Sequence, residues 1–143
     1  MQKLSLVTAK VVRENDQYAY KLIGKGEKYL VFHEDLEKAE DTVILELTPF
    51  SKEPVSIDSV IVQKNSEIIG DSESEQIFKA SVKFMYLDEI SGKEKKSSRK
   101  LFVRADTIEA AILVISSEIP EGHLASITET KIFDVFTFSE LNN

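Results

Sequence analysis

The sequence predicts an α+β fold in which a strand-strand-helix-strand unit occurs twice, its two helices packed on mixed or antiparallel sheet about a pseudo-twofold axis. Three observations carry this. Phe78, Ala80, Val82 and Phe84 alternate with Lys79, Ser81 and Lys83, the period-two pattern of a strand with one buried face. Ile108, Ala111, Ile112, Ile115 and Ile119 fall at helical spacing, as an amphipathic helix requires. The segment Tyr29-Leu30-Val31-Phe32, with Leu36, Glu37, Ala39 and Val43, returns 72 residues later as Leu101-Phe102-Val103-Arg104, with Ile108, Glu109, Ala111 and Ile115, and such self-similarity marks a repeated supersecondary unit.

Weaker echoes extend the repeat. Ala9-Lys10-Val11 matches Ala80-Ser81-Val82 at an offset of 71, and Ser56-Ile57 matches Ser126-Ile127 at an offset of 70. In the first half a hairpin is expected around Glu14-Asn15-Asp16-Gln17, then a helix with Leu36, Ala39, Val43 and Leu47 as its apolar stripe and Pro49 as its stop. In the second half Asp88-Glu89-Ile90-Ser91-Gly92-Lys93 supplies turn chemistry, with Gly92 available for a positive φ, before a partner strand from Arg99 to Ala105. Asp106-Thr107-Ile108-Glu109 has the form of a capping box, and Pro120 and Gly122 end the helix. The third strands are Val55 to Val62, running on toward Ile69, and Leu124 to Phe138. Phe133, Phe136 and Phe138 break parity there, which predicts a bulge or bend. One domain, 1–143, is thus expected from halves 1–70 and 76–143, joined by an acidic tether at 71–75. Halves this small gain little from a core of their own, so they are expected to share an interior, in one sheet or two.

With 143 residues, 42% of them hydrophobic and 30% charged, the composition is that of an ordinary globular domain. Cysteine is absent, which removes disulfides, thiolate catalysis and cysteine-based zinc sites. Met1-Gln2-Lys3-Leu4-Ser5-Leu6 has no apolar signal core, and no stretch approaches the ~20 apolar residues of a membrane span. A cytoplasmic protein without membrane contact is expected. The net charge of −7 disfavours general duplex binding.

Phe78 to Phe84, Leu87 to Lys96, Leu101 to Ala105 and the closing Ile127 to Phe136 together resemble an uncharacterised bacterial family, a domain of unknown function with chromosomal and phage-related members. The first half resembles it at Tyr29-Leu30-Val31 and Thr48-Pro49-Phe50. The resemblance implies a shared fold and no activity.

Candidate chemistry is sparse. His33-Glu34-Asp35 offers a nitrogen and two carboxylates to a metal, but three consecutive residues point in different directions and helix capping accounts for the acids. His123 suits a helix exit. No serine stands in a nucleophile elbow, and Gly24-Lys25-Gly26-Glu27-Lys28 is neither a P-loop nor a dinucleotide fingerprint, so a bend in a strand explains its glycines. No metal, cofactor or enzymatic activity is expected. The distinctive cluster is Lys93, Lys95, Lys96, Arg99 and Lys100, five cations within eight residues opposed only by Glu94. On a hairpin tip they would form a basic finger able to grip phosphates or an acidic partner. The leading expectation is a non-enzymatic binding module acting through a protein partner or self-association. The alternatives are single-stranded nucleic-acid or nucleotide binding through Lys93 to Lys100, and a phage-type inhibitor that sequesters a host factor.

Overall fold

The computed structural model describes residues 2–12, 26–64 and 66–138. Its elements are β1 (Lys3–Lys10), β2 (Glu27–His33), α1 (Leu36–Leu47), a 3-10 turn (Thr48–Phe50), β3 (Ser56–Val62), β4 (Glu67–Gly70), β5 (Ile77–Leu87), β6 (Glu94–Arg104), α2 (Ile108–Glu118), β7 (His123–Glu129) and β8 (Ile132–Thr137). The class is α+β, mostly sheet. The strands form two four-stranded sheets, in the orders β3-β1-β2-β8 and β4-β6-β5-β7. The hairpin expected around Glu14 lies outside the described residues.

The chain divides into two compact units, Met1–Lys64 with Lys131–Asn143, and Asn65–Thr130. The division does not fall at Gly70 because the last strand of each half pairs in the other half's sheet. The two expected long third strands are each two strands. After β3, the chain continues as β4, which runs parallel to β6 of the second unit, with Glu67 facing Leu101 and Gly70 facing Arg104. After β7, it continues as β8, which runs parallel to β2 of the first unit.

The pattern of strand pairing is alike in the two units, although the parallel edge strand comes last in the first (β8) and first in the second (β4). The middle pairs, β1 with β2 and β5 with β6, are antiparallel, and β3 and β7 add antiparallel to β1 and β5. In the second strands Tyr29 faces Asp134 and Leu101 faces Glu67. The first strands align differently from the sequence echo. Val7 faces Tyr29 and Ala80 faces Leu101, so the offset is 80 − 7 = 73 and not 71. Likewise Thr8 faces Ser59 and Ser81 faces Ser126, an offset of 126 − 59 = 67 and not 70. A bulge follows Thr8 in one sheet and Ser81 in the other.

Each helix covers one face of its own sheet. In the first unit Val7, Ala9, Tyr29 and Val31 pack with Ala39, Val43 and Leu47 of α1. In the second, Phe78, Ala80, Val82, Leu101 and Val103 pack with Ala111, Ile115 and Ile119 of α2 and its exit. The predicted stripes are thus buried, except at their edges, where Leu36, Ile108 and Ile112 are exposed. Each of these clusters lies within one unit. A fully buried aliphatic side chain contributes about 1.5–3 kcal/mol, and a unit with one helix on four strands assembles a core of its own.

The helix starts differ in detail from expectation. Thr107, not Asp106, caps α2, its hydroxyl accepting from Ala110 N–H at 3.1 Å. The capping box therefore does not form, because the third helical residue is Ala110, and Glu109 serves the first turn by charge alone. Asp35 caps α1 in the same way, accepting from Lys38 N–H at 2.9 Å. The acidic segment 71–75 is also more than a tether. Asp71 N–H bonds the Arg104 carbonyl, Glu73 N–H bonds the Asp71 carboxylate, and Arg104 Nε–H donates to the carbonyl of buried Ser74. Polar contacts anchor a segment that has no apolar side chain.

Candidate basic surface and aromatic pocket

The hairpin β5–β6 decides what the basic cluster is. Its register runs without interruption from Ile77 facing Arg104 to Leu87 facing Glu94, so side chains alternate strictly between the two faces. β6 begins at Glu94, five residues before the expected Arg99. Four of the five cations therefore lie on a strand, and only Lys93 lies at the turn, where its carbonyl accepts from Asp88 N–H. Gly92 occupies the expected positive φ, at 67°.

Strand parity splits the cluster in two. Lys95 and Arg99 share the face of Leu101 and Val103, on which α2 packs. Each meets a carboxylate there: Lys95 Nζ lies 2.8 Å from Asp88 and Arg99 bonds Glu67 of β4. The Lys95 hydrogen bond, with the Ile90 backbone N–H, holds the Asp88 carboxyl below its ordinary range. Lys96 and Lys100 take the opposite face. There they join Lys79 and Lys83 of β5, since Lys100 faces Ser81 and Lys83 faces Ser98. Ser126 and Thr128 of β7 face Ser81 and Lys79, and His123 faces Lys83. All four lysines are exposed. Among the described residues none of them has a carboxylate partner. Glu94, at the far end, is the acid that β6 contributes to this face.

A basic finger thus becomes a basic sheet face, two of whose lysines, Lys79 and Lys83, belong to the alternating strand and were read only as its polar side. The signal was present in that alternation, extended through the hairpin. β5 and β6 are the central strands of their sheet, but β4 pairs only with Leu101 to Arg104, so the stretch of β6 that holds Lys96 and Lys100 has an open outer edge, where lysines also discourage strand addition. Like charges on neighbouring strands also cost stability. Phe84 and Tyr86 fall on the other face and Phe102 is buried, so among the described residues of β5 and β6 no exposed ring on the basic face offers a base a surface to stack on.

The remaining candidates have structural roles. His33 is buried on the helix face of the first sheet, with Nε2 2.6 Å from the buried Ser5 hydroxyl. Glu34 pairs with Lys38 at 3.0 Å and Asp35 caps α1, so the three consecutive residues go to three different tasks. Among the described residues no group of three metal-ligating side chains converges. His123 opens β7, exposed. Gly26 lies tight against β1: a Cβ there would come within 3.2 Å of the Ala9 carbonyl and closer still to the Thr8 methyl. The close approach of two strands accounts for it, while Gly24 and Lys25 lie outside the described residues.

A feature absent from the sequence reading is a pocket of about 470 Å³ in the first unit, lined by Tyr29, Glu46, Leu47, Phe50, Phe133, Asp134 and Phe136. The broken parity of β8 builds it. Lys28 faces Ile132 but Tyr29 faces Asp134, so Phe133 is the bulged residue. Its ring then lies 6.0 Å from that of Tyr29, while Phe136 stacks on Tyr29 at 4.9 Å.

No helix among the described residues is long and apolar enough to cross a membrane. No curated protein and no solved structure matches the chain. A family model described as a domain of unknown function, DUF4494, matches residues 7–138, nearly the whole chain and both units. The chain belongs to that family.

Proposed function

We propose that this chain is a non-enzymatic binding module whose second unit holds a polyanion, with a single-stranded nucleic acid as the best fit, on the lysine-bearing face of β5 and β6. One observation carries the reading. Lys79, Lys83, Lys96 and Lys100, all exposed, crowd one face without acidic partners among the described residues, while Lys95 and Arg99 on the other face are neutralised by Asp88 and Glu67. Such a concentration of positive charge on a chain of net charge −7 is stabilised by a bound anion and by little else. Ser81, Ser98, Ser126 and Thr128 supply hydroxyls between the ammonium groups, as phosphate contacts use. Without exposed rings, recognition depends on the backbone and not on the bases. The acidic remainder of the protein disfavours the denser charge of a duplex.

Fluorescence anisotropy with a labelled single-stranded oligonucleotide, titrated across salt concentrations, tests this. Each phosphate contact contributes about 0.7 to the salt slope, so four contacts give a slope near 3. Lys96→Ala with Lys100→Ala should lower the slope by about 1.4. Lys95→Ala with Arg99→Ala should leave it unchanged. Equal losses from both pairs would return the binding to the whole hairpin, and no binding at low salt would end the proposal.

A protein partner or self-association is the second reading, favoured by the sheet edges. β3 and β7 each lack a further neighbour among the described residues, and Ile61 on β3 is 55% exposed. Unpaired edges of this kind accept an added strand. Light scattering that shows a concentration-dependent dimer, lost on Ile61→Lys, would support it over the polyanion reading. The common pairing pattern of the two sheets also supports descent from one duplicated segment.

A further inference from the structure

We infer that the aromatic pocket of the first unit is a binding site for a small organic cation with an apolar body, a site separate from the basic face of the second unit and independent of it. Four features of the pocket agree on the sign of the charge. Its walls are the rings of Tyr29, Phe50, Phe133 and Phe136, and aromatic faces carry the negative part of a quadrupole that attracts ammonium and guanidinium groups. Its acidic lining residues are Glu46 and Asp134, and none of the lining side chains is cationic. It opens beside the C-terminal turn of α1, where the helix dipole places partial negative charge. Glu46 sits in that turn, which has no basic residue, so its carboxylate occupies the end of the helix that disfavours it.

Glu46 makes the argument specific. A carboxylate in a last helical turn faces the negative end of the helix dipole, which disfavours it. Among the described residues Glu46 has neither an ion pair nor a hydrogen bond to offset that. A bound cation would offset it. The apolar half of the ligand is set by two exposed rings that line the pocket: Phe50 is 60% exposed, at the 3-10 turn, and Phe133 is 58% exposed, on the bulge. Large rings held in water at the mouth of a concave site suit a hydrophobic ligand surface. The volume of about 470 Å³ falls in the range of small-molecule sites.

The test uses the full chain labelled with nitrogen-15 and titrated with phenethylammonium chloride, followed by amide shifts. Neutral 2-phenylethanol and anionic phenylacetate have the same ring and differ in charge. Saturable shifts are expected at Tyr29, Phe133 and Asp134 with the ammonium compound, with affinity at least about fivefold above the alcohol, as a cation–π and carboxylate contribution near 1 kcal/mol gives. Phenylacetate should bind more weakly than either. Glu46→Gln should bring the ammonium compound to within about twofold of the alcohol and leave the alcohol unchanged, which a merely structural Glu46 would not do. Phe133→Ala should weaken both, with an unfolding midpoint close to the parent because the ring is exposed. Equal affinity for the alcohol and the ammonium compound, preference for phenylacetate, or no saturable shift at about 20 mM, a concentration beyond ordinary small-ligand affinities, would overturn the inference. These outcomes do not depend on oligonucleotide binding, so either proposal can fail while the other stands.

Discussion

Gly70→Ala should destabilise the second unit by about 3 kcal/mol or more, the sum of a backbone cost and a steric cost that have to be met together. Gly70 ends β4 at φ 105°, a region that a residue with a Cβ enters at a cost of about 1–2 kcal/mol. A Cβ there would also lie 2.2 Å from the carbonyl oxygen of Arg104, which is backbone of the paired strand and cannot turn aside. To relieve the clash β4 must part from β6, and Asp71 N–H then loses the same Arg104 carbonyl, now 3.0 Å away. Gly92 is the internal control. Its φ is also positive, at 67°, but an added Cβ meets nothing within 4 Å. Gly92→Ala should therefore cost only about 1 kcal/mol, the conformational part alone. Urea unfolding followed by circular dichroism measures both. Equal costs for the two substitutions would show that the contact at Gly70 is relieved cheaply.

The same glycine shows where sequence reading succeeds and where it stops. Local periodicity sees burial, because a side chain that alternates or recurs at helical spacing does so whatever its partner. Phe78, Ala80 and Val82, and Ala111, Ile115 and Ile119, were legible for that reason, and they are the buried faces. Periodicity does not see which strand is the neighbour. The apolar run from Val55 toward Ile69 reads as one element, yet it parts into β3 and β4, and Glu67–Gly70 finds its partner in β6, more than thirty residues on. Parallel pairing across such a distance leaves no local trace, so Gly70 reads as no more than the end of the first half beside the tether, and it is a close-packed strand end. Phe133 is an intermediate case. Its broken parity was visible and the bulge is there, but the pocket also needs Tyr29 of β2 and Phe50 of the 3-10 turn, two distant places in the chain. The five cations were legible as a cluster, and their division into a neutralised pair and an open pair required the register of the hairpin.

The second large effect is expected at Ser5 and His33, both fully buried. Their bond of 2.6 Å satisfies Nε2, while Nδ1 has no hydrogen-bond partner among the described residues. Burial is the main influence on the imidazole and pushes its pKa below the ordinary 6.5, against the Asp35 backbone and carboxylate, which favour the proton. The neutral ring is therefore the form that folds. Ser5→Ala leaves the second ring nitrogen unpaired in the interior and should cost about 2 kcal/mol. Adding His33→Leu removes the stranded polar group and should recover most of that loss, since replacing both partners by apolar groups is close to neutral. The pH dependence follows from the same burial. Below pH 6.5 the unfolded chain takes up a proton at this histidine and the folded chain does not. Stability is thus intact above that pH and falls beneath it, by up to about 1.4 kcal/mol per pH unit, until the folded ring is itself protonated. Carboxylates contribute to acid sensitivity as well, and the comparison that removes them is the parent against Ser5→Ala/His33→Leu, which share every acid and the exposed His123. Between pH 6.5 and 5 the parent should lose stability more steeply than the double variant. Parallel curves would mean that the buried ring accepts its proton without penalty, and the Ser5–His33 pair would then have no part in setting the acid limit of the fold.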